Sequence, residues 1–415
     1  MVFDQAKQLK ILSLQYYSYP DAVGGAWRVS YELNRRFVER GDQVALITCK
    51  PSDELADAQK LEGVRIFRIP KTSAKSLFAL RAGIAEQLEG LLQEGPIDVI
   101  HVHNPLVGFL ALTCPAIWKV PMAYHFHSSW FDEEIINRQL TKQHAPVWLD
   151  WLKAAPALLA VRFMEWVCLS HSRLFLVLSE YSKRRLRRYF PFHDRPARVV
   201  SSGVDAEEFH PPQSAEQKSA LRRKLNLPED RPILLTVRRL HHRMGLENWL
   251  RALSQVCEQE PDKTFLALIA GEGPVRETLE RRIVEWRLQD KVRLMGLLSR
   301  EELPLYYQAA DVFVLPTERI EGFGLVTAEA MASGLPVLGT PVGATRELLG
   351  AVDDRLLFRD ASAEAMRDGL LQFLNDPQTI LDLGPLCRQR AVAEFSWDAA
   401  AEKIQSHFYE LAKRT

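Results

Sequence analysis

The sequence contains little that would anchor it in a membrane or cross-link it covalently. Its five cysteines are widely spaced and form no C-x-x-C pair, so we expect neither a disulfide framework nor a zinc knuckle. No run approaches the ~20 apolar residues that span a bilayer. The first seven residues also lack the apolar core of a signal peptide. These absences predict a protein of the reducing cytoplasm.

The net charge and the length of the chain restrict its class and its number of domains. Lys plus Arg and Asp plus Glu each total 53, so the formal net charge is zero. A protein that binds nucleic acid over its surface is normally basic, so we expect no nucleic-acid partner. With 415 residues, of which 47% are apolar, the chain is long enough for two or three globular domains.

Short apolar runs alternate with longer amphipathic segments, first over residues 9–178 and again over 233–338. This alternation is typical of parallel sheets covered by helices on both faces. The stretch between the two series is rich in polar residues and proline. We therefore predict an α/β domain over residues 1–205, a second over 206–395, and a helix within 396–415. The pattern of that helix fits either domain, and we expect it to pack back on the first.

The strands and helices of this prediction are short. The predicted strands are Leu9–Leu14, Gln43–Thr48, Ile97–Val102, Leu174–Leu178, Ile233–Val237, Phe265–Ala270, Val292–Met295, Val312–Leu315 and Pro336–Leu338. The predicted helices include Ala26–Arg40, Leu246–Gln259, Glu301–Gln308, Val326–Ala332 and Trp397–Leu411.

The segment Glu321-Gly-Phe-Gly-Leu-Val-Thr-Ala-Glu329 carries the strongest local signal. It follows a predicted strand and opens a helix, and Gly322 and Gly324 allow the backbone to approach a ligand closely. Exposed N–H groups at the start of a helix form a site for an anion such as phosphate. We expect Glu321 in the loop and Glu329 inside the helix, both bordering one ligand. A solvated pair of acids without a ligand is the alternative.

With several shorter motifs, this segment resembles the signature of nucleotide-sugar glycosyltransferases of the GT-B fold. The similar family is the large retaining family numbered four, the glycosyl transferases group 1. The resemblance covers nearly the whole chain and implies two Rossmann-like, doubly wound parallel-sheet domains that face a central cleft. It also rests on Gly24-Gly25, Phe126-His127, Leu178-Ser179-Glu180, Gly203-Val204-Asp205, Arg239-Leu240, Gly271-Glu272-Gly273-Pro274 and residues 310–316.

The resemblance implies roles for the residues of the second domain. Glu329 matches the acid that binds the nucleotide ribose, and Glu321 matches the acid that approaches the hydroxyls of the donor sugar. The backbone N–H groups of Phe323, Gly324 and Leu325 would face the diphosphate or the sugar.

In the first domain, the resemblance implies that the Gly24 and Gly25 loop meets the donor diphosphate and the acceptor. A glycine pair at a helix start is otherwise an ordinary turn. His127 matches a histidine that contacts the donor sugar near its reacting carbon. The family usually has glycine after that histidine, whereas this chain has Ser128.

The segment from Val237 to Gly245 is rich in arginine and follows a predicted strand. Arginine binds phosphate oxygens bidentately, so the segment suits a diphosphate, although a solvated basic turn is the alternative. The family pattern is Gly-Arg-Leu followed by Lys-Gly, and its two cations neutralise the departing diphosphate. Arg239 matches the arginine, whereas Met244 stands in place of the lysine. We expect Arg243 to substitute for that lysine, and Arg238, which replaces the glycine, is a second candidate.

Histidine occurs in three close pairs, two of them as H-x-H. Alternate residues of a strand point the same way, so such a pair could chelate a metal ion. No acid or cysteine lies at ligand spacing, so we predict hydrogen-bonded histidines, no metal and no other cofactor. The pairs are His101/His103, His125/His127 and His241/His242.

The segment Lys183–Arg188 contains five basic residues in six positions, and the aromatic residues Trp151, Phe163 and Trp166 precede it. Basic residues beside aromatic ones suit an anionic membrane surface or a lipid-linked acceptor. A solvated helix beside a core helix explains the same residues. Peripheral contact with the inner face of the membrane is the functional alternative.

The resemblance therefore implies a metal-independent, retaining hexosyltransferase of glycan biosynthesis. Its donor would be a UDP- or GDP-sugar, its acceptor a hydroxyl of a glycan or lipid-linked molecule, and its catalytic residues His127, Glu321 and Arg239. One alternative is another GT-B enzyme, such as a sugar-nucleotide epimerase or a glucan synthase. The other is a non-catalytic nucleotide-binding scaffold, which Met244 favours.

Overall fold

The computed structural model describes residues 8–70, 76–138, 147–191 and 194–413. The chain divides into two compact units: unit 1 comprises Met1–Ser201 and Trp397–Thr415, and unit 2 comprises Ser202–Ser396. This division lies four residues before the predicted one, and the C-terminal helix falls in unit 1. The first seven residues, in which we expected no signal sequence, lie outside the described part.

Unit 1 contains an eight-stranded sheet. Its strands are β1 (Lys10–Leu14), β2 (Gln43–Cys49), β3 (Ala58–Leu61), β4 (Val64–Ile69), β5 (Val99–Val102), β6 (Met122–Phe126), β7 (Leu174–Val177) and β8 (Ala197–Val199). The order across the sheet is β3-β4-β2-β1-β5-β6-β7-β8, and all neighbours are parallel except β3 and β4. The strand order reverses between β1 and β5. In open α/β sheets, ligands bind at the carboxyl ends of strands beside such a reversal.

The helices of unit 1 connect these strands. They are α1 (Gly25–Glu39), α2 (Leu77–Gln93), α3 (Pro105–Ala111), α4 (Trp130–Asn137), α5 (Val147–His171) and α6 (Glu180–Tyr189), with α16 (Trp397–Lys413) from the end of the chain. Helix α16 packs against α1. The rings of Phe37 and Phe408 lie 5.6 Å apart, and Arg36 donates to Asp398 over 3.0 Å.

Unit 2 contains a five-stranded, wholly parallel sheet. Its strands are β9 (Ile233–Val237), β10 (Leu266–Ala270), β11 (Val292–Gly296), β12 (Val312–Leu315) and β13 (Val337–Gly339). The order is β11-β10-β9-β12-β13, so the reversal lies between β9 and β12. All four residues of β12 are fully buried, as a central parallel strand with both faces covered requires.

The helices of unit 2 complete the second Rossmann-like unit. They are α7 (Ala215–Lys224), α8 (Leu246–Gln259), α9 (Arg276–Glu285), α10 (Leu303–Ala309), α11 (Leu325–Ala332), α12 (Thr345–Leu349), α13 (Ala363–Asn375), α14 (Pro377–Leu381) and α15 (Gly384–Glu394). Short 3-10 helices lie at Pro115–Ile117 in unit 1 and at His242–Met244 and Asp354–Leu356 in unit 2. Within the described ranges, no helix is both long and apolar enough to cross a bilayer.

Candidate functional site

The predicted acid Glu321 and the arginine segment meet at the strand reversal of unit 2. Strand β9 leads directly into Arg238, and β12 leads into the loop that carries Glu321. Arg238 Nη1 lies 2.7 Å from Glu321 Oε2, and only 6% and 10% of the two side chains are exposed. The sheet therefore brings together two oppositely charged groups at the end where such folds bind ligands.

The local backbone fixes the position of Glu321. Its carboxylate also accepts a hydrogen bond from Thr317 Oγ1 at 3.2 Å, and its carbonyl oxygen accepts from the Ala344 N–H at 2.9 Å. Gly343 has φ +64°, and a Cβ there would lie 2.2 Å from that carbonyl oxygen. Only glycine permits this close approach, so the loop holds the acid rigidly.

Helix α11 begins directly after this loop. Gly324 precedes it with φ +87°, and a Cβ there would lie 2.9 Å from Thr327 Oγ1 and 3.5 Å from the Glu321 carboxyl carbon. Thr327 is fully buried, and its Oγ1 has no hydrogen-bond partner among the described residues. A helix start with an unsatisfied hydroxyl beside an acid and a guanidinium has the components of a phosphate site.

Glu329 lies inside α11, as expected, and is half-buried. Its Oε2 accepts a hydrogen bond of 3.0 Å from the hydroxyl of Tyr307, which is fully buried on α10. Burial, followed by the charge of Glu329, raises the pKa of Tyr307 well above its ordinary value. The phenol therefore stays protonated and orients the carboxylate. Tyr307 was not among the site residues predicted from the sequence, because Tyr307 and Glu329 lie on different helices.

The other predicted arginines lie in different surroundings. Arg239 is exposed, and the structure places Arg238 rather than Arg239 against Glu321. Arg243 donates from Nη1 to the Ile320 carbonyl at 2.7 Å, and its own carbonyl accepts from the N–H of Glu318 and of Arg319. Arg243 thus supports the loop before Glu321. Its expected role as the substitute cation remains a prediction.

The two apolar residues of the predicted donor loop have separate environments. Phe323 is buried, and its ring meets the Phe395 ring edge-on at 5.2 Å and 89°. Leu325, the first residue of α11, is half-buried. The Phe323 side chain therefore anchors the loop, and a ligand would meet the backbone of this segment.

In unit 1, His101 and His103 of the β5 end join His125 and His127 of the β6 end. Strands β5 and β6 are neighbours, which two separate H-x-H pairs cannot reveal. His125 Nδ1 lies 3.3 Å from His101 Nε2, His101 Nδ1 lies 3.2 Å from His103 Nε2, and His103 Nδ1 lies 3.1 Å from His127 Nε2. We call these four residues the histidine row.

Burial keeps the histidine row uncharged. It lowers the pKa of His101 and His127 to about 3, and that of His103 and His125 well below the ordinary value. Neutral imidazoles each offer one donor and one acceptor, so they can bond end to end. His101, His103 and His125 also bring ring nitrogens within 4.8 Å of one another, as a metal site would require. Two hydrogen bonds link these three rings, His125 to His101 and His101 to His103, and the absence of a metal stays a prediction.

The predicted glycine pair opens α1. Gly24 is extended, and α1 begins at Gly25 without a side-chain cap. A Cβ at Gly24 would lie 2.7 Å from the Trp27 ring. Gly24 is therefore needed for packing, and the helix start leaves N–H groups for another acceptor.

A buried acid of unit 1 was not anticipated. Glu165 on α5 is fully buried and accepts hydrogen bonds from the N–H of Trp130 at 2.8 Å and of Phe131 at 3.4 Å. It therefore satisfies the start of α4. Burial raises the pKa of Glu165 to about 7.

The chain is similar to known glycosyltransferases over most of its length. The sequence model described as Glycosyltransferase Family 4 matches residues 23–208, and that described as Glycosyl transferases group 1 matches residues 217–390. A D-inositol 3-phosphate glycosyltransferase of Xylanimonas cellulosilytica is 28% identical over 94% of this chain and 93% of the relative.

Two further comparisons concern a partial relative and a solved structure. A GDP-mannose-dependent monoacylated alpha-(1-6)-phosphatidylinositol monomannoside mannosyltransferase of Corynebacterium glutamicum is 30% identical, over 55% of this chain and 59% of that protein. Sucrose-phosphate synthase from Thermosynechococcus elongatus superposes with a TM-score of 0.80 at 24% identity, covering 98% of this chain and all of that one. With both Rossmann-like units described, the chain belongs to the glycosyltransferases of GT-B fold, family 4.

Proposed function

We propose that this protein transfers a hexose from a nucleoside diphosphate sugar to an acceptor hydroxyl, with retention at the anomeric carbon. The observation that carries the proposal is the start of α11, where Glu321 lies in the preceding loop and Glu329 inside the helix, and where the Thr327 hydroxyl has no hydrogen-bond partner within the described ranges. The helix supplies N–H donors for a diphosphate, and the carboxylates supply acceptors for ribose and sugar hydroxyls.

The chemistry needs a stabilised leaving group more than a protein nucleophile. The bond between C1 of the sugar and the diphosphate oxygen breaks while C1 bonds to the acceptor oxygen on the same face. The leaving phosphate oxygen takes the acceptor proton, so the bonding and the protons balance. Charge accumulates on the diphosphate, and fixed cations and helix N–H groups lower the barrier by stabilising it. Arg239 and Arg243 are proposed for this role, and Glu321 and His127 for holding the sugar.

The acceptor we propose is a glycan or a lipid-linked molecule. Two relatives act, by their names, on an inositol phosphate and on a phosphatidylinositol mannoside. No metal is required in this proposal, because protein cations take its place at the diphosphate.

Helix α5 supports the further proposal of contact with an anionic membrane. Its exposed residues Leu152, Leu159, Phe163 and Trp166 are spaced by seven, four and three positions, and they therefore form one apolar stripe. Arg162 of α5 donates to the Tyr189 carbonyl at the end of α6, so α5 and the basic helix are in contact.

The charged side chains of α6 differ in their ion pairs and in their exposure to solvent. Lys183 pairs with Glu180 at 3.1 Å and Arg185 with Asp132 at 2.6 Å, and Arg187 and Arg188 are exposed. The exposed arginines Arg187 and Arg188 are the ones suited to anionic headgroups.

Co-sedimentation with vesicles tests the membrane proposal. We expect binding to vesicles containing an anionic phospholipid, weaker binding by Leu159→Glu, and unchanged binding by Val284→Glu, which alters an exposed apolar residue of unit 2. Equal binding by the two variants would contradict a role for the α5 stripe.

Product analysis tests the reaction. Purified protein is incubated with UDP- and GDP-hexoses and candidate acceptors, and nuclear magnetic resonance follows the anomeric proton of the donor and of the product. We expect nucleoside diphosphate release that depends on acceptor, with an unchanged anomeric configuration. Conversion of the donor without acceptor would favour an epimerase, and a polymeric product would favour a glucan synthase. Nucleotide binding without turnover in any combination would favour the scaffold.

A further inference from the structure

The Arg238 guanidinium lies within reach of a lysine side chain at position 244. Its Nη1 binds Glu321, and its Nη2 lies 2.7 Å from Met244 Sδ. In a lysine side chain the ammonium nitrogen lies two bonds beyond the atom that corresponds to Sδ. The ammonium of a lysine at 244 can therefore reach the place where the guanidinium now lies.

The backbone holds both residues in this arrangement. The Arg238 N–H donates to Ala270, and a Cβ on Gly271 would lie 1.8 Å from the Arg238 carbonyl oxygen. Met244 is 4% exposed and ends a 3-10 helix, and the following Gly245 has φ +70°. The Met244 side chain carries no charge, so the positive charge at the contact between these two side chains belongs to Arg238.

This cation lies beside the start of α11. Glu321 connects the two features, because it binds Arg238 and its carboxyl carbon lies 3.5 Å from where a Cβ on Gly324 would be. A guanidinium has five N–H donors, and the contacts to Glu321 and Met244 use two of them. It can therefore bind an anion while it stays paired with Glu321.

We propose that Arg238 binds the diphosphate of the donor and replaces the lysine that the family carries at position 244. Relative to the family pattern, the positive charge has moved from position 244 to position 238, and the two side chains are in contact. This inference rests on the proposed function and adds Arg238 to Arg239 and Arg243, the cations already proposed at the diphosphate. It makes Arg238 a binding residue for the donor, in addition to its ion pair with Glu321.

The test compares single and compensating variants in calorimetric titrations with UDP and GDP. Arg238→Ala should weaken binding of the preferred nucleotide by about 10- to 100-fold, the range of a hydrogen bond to a charged group. Arg238→Gly with Met244→Lys restores the family pattern and should recover at least about tenfold of that loss. Met244→Lys alone places two cations in one space and should not improve binding.

A second comparison separates phosphate binding from support of Glu321. Arg238→Ala leaves a buried carboxylate unpaired, which weakens the loop whatever the ligand does. The double variant Arg238→Ala with Glu321→Gln removes that charge, so it is compared with Glu321→Gln. A further loss of nucleotide affinity supports the proposal, and equal affinity overturns it.

The two proposals fail in different ways. If wild-type protein binds no nucleotide, the proposed function fails. If wild-type protein binds a nucleotide and Arg238→Ala binds it equally well, only the role of Arg238 is refuted. Unfolding of each variant without ligand confirms that a folded protein is being compared.

Discussion

The buried histidine row leads us to predict that the free energy of unfolding of unit 1 falls in acid. In the folded protein, burial lowers the pKa of His101 and His127 to about 3. In the unfolded chain a histidine has an ordinary pKa of about 6.5. Between these values the unfolded state binds protons that the folded state does not. The free energy of unfolding therefore falls as pH falls from about 6.5 towards 3.

The expected loss is large for a protein of ordinary stability. At about pH 5, one such histidine lowers the free energy of unfolding by about 2 kcal/mol relative to about pH 8. His101 and His127 together lower it by about 4 kcal/mol, against a usual total of about 5–15 kcal/mol, and His103 and His125, whose pKa burial also lowers, act in the same direction. Glu165 acts in the opposite direction, because its raised pKa of about 7 adds stability as pH falls. Its gain over the same range is about 2.5 kcal/mol.

Comparison of variants isolates the histidine contribution. Urea unfolding, followed by circular dichroism at about pH 8 and pH 5, is measured for wild type and His101→Gln. Since Glu165 is present in both, its effect cancels. We expect the variant to lose about 2 kcal/mol less than wild type on acidification. His171→Gln, which alters an exposed histidine of α5, is the matched control and should behave as wild type. Equal losses for wild type and His101→Gln would show that the row is protonated in the folded protein.

Two further predictions concern unit 2. Tyr307→Phe removes the hydrogen bond to Glu329 and should raise the dissociation constant of the nucleotide about 2- to 10-fold in calorimetry, whereas Tyr306→Phe on the same helix should not. Gly245→Ala places a Cβ 1.8 Å from the Pro316 carbonyl oxygen and should lower the free energy of unfolding by about 2 kcal/mol or more. In contrast, Gly90→Ala in α2 meets nothing within 4 Å and should leave stability equal or higher in denaturation curves.

The sequence predicts the buried centre of each sheet better than its edges. Strands β9 and β12 and helix α8 have the predicted bounds, because continuous apolar runs and regular helical spacing are strong signals. Strands β3, β4, β6 and β8 were not predicted, although β6 is fully buried inside the sheet. The residues of β3 are mostly exposed and polar, and β3 pairs antiparallel at the edge of the sheet, where neither alternation nor burial gives a clear pattern.

The candidate site is predictable where it is local in sequence. Glu321, Gly324 and Glu329 lie within nine positions, and their placement in a loop, at a helix start and inside a helix follows from that spacing. The Arg238–Glu321 ion pair joins residues 83 positions apart and depends on β9 lying beside β12. The histidine row likewise depends on β5 lying beside β6. Strand order is a tertiary property that no single motif encodes.

The most direct test of the central claim is thermal unfolding in the presence of UDP, GDP, ADP and dTDP. A ligand at 100 times its dissociation constant adds about 2.7 kcal/mol to the free energy of unfolding. For a unit of the size of Ser202–Ser396, that gain raises the midpoint by about 5–11 °C. We predict such a shift with at least one nucleoside diphosphate and its loss in Glu329→Ala. No shift with any of them, in a sample that unfolds cooperatively, would contradict the account of a donor site at the start of α11.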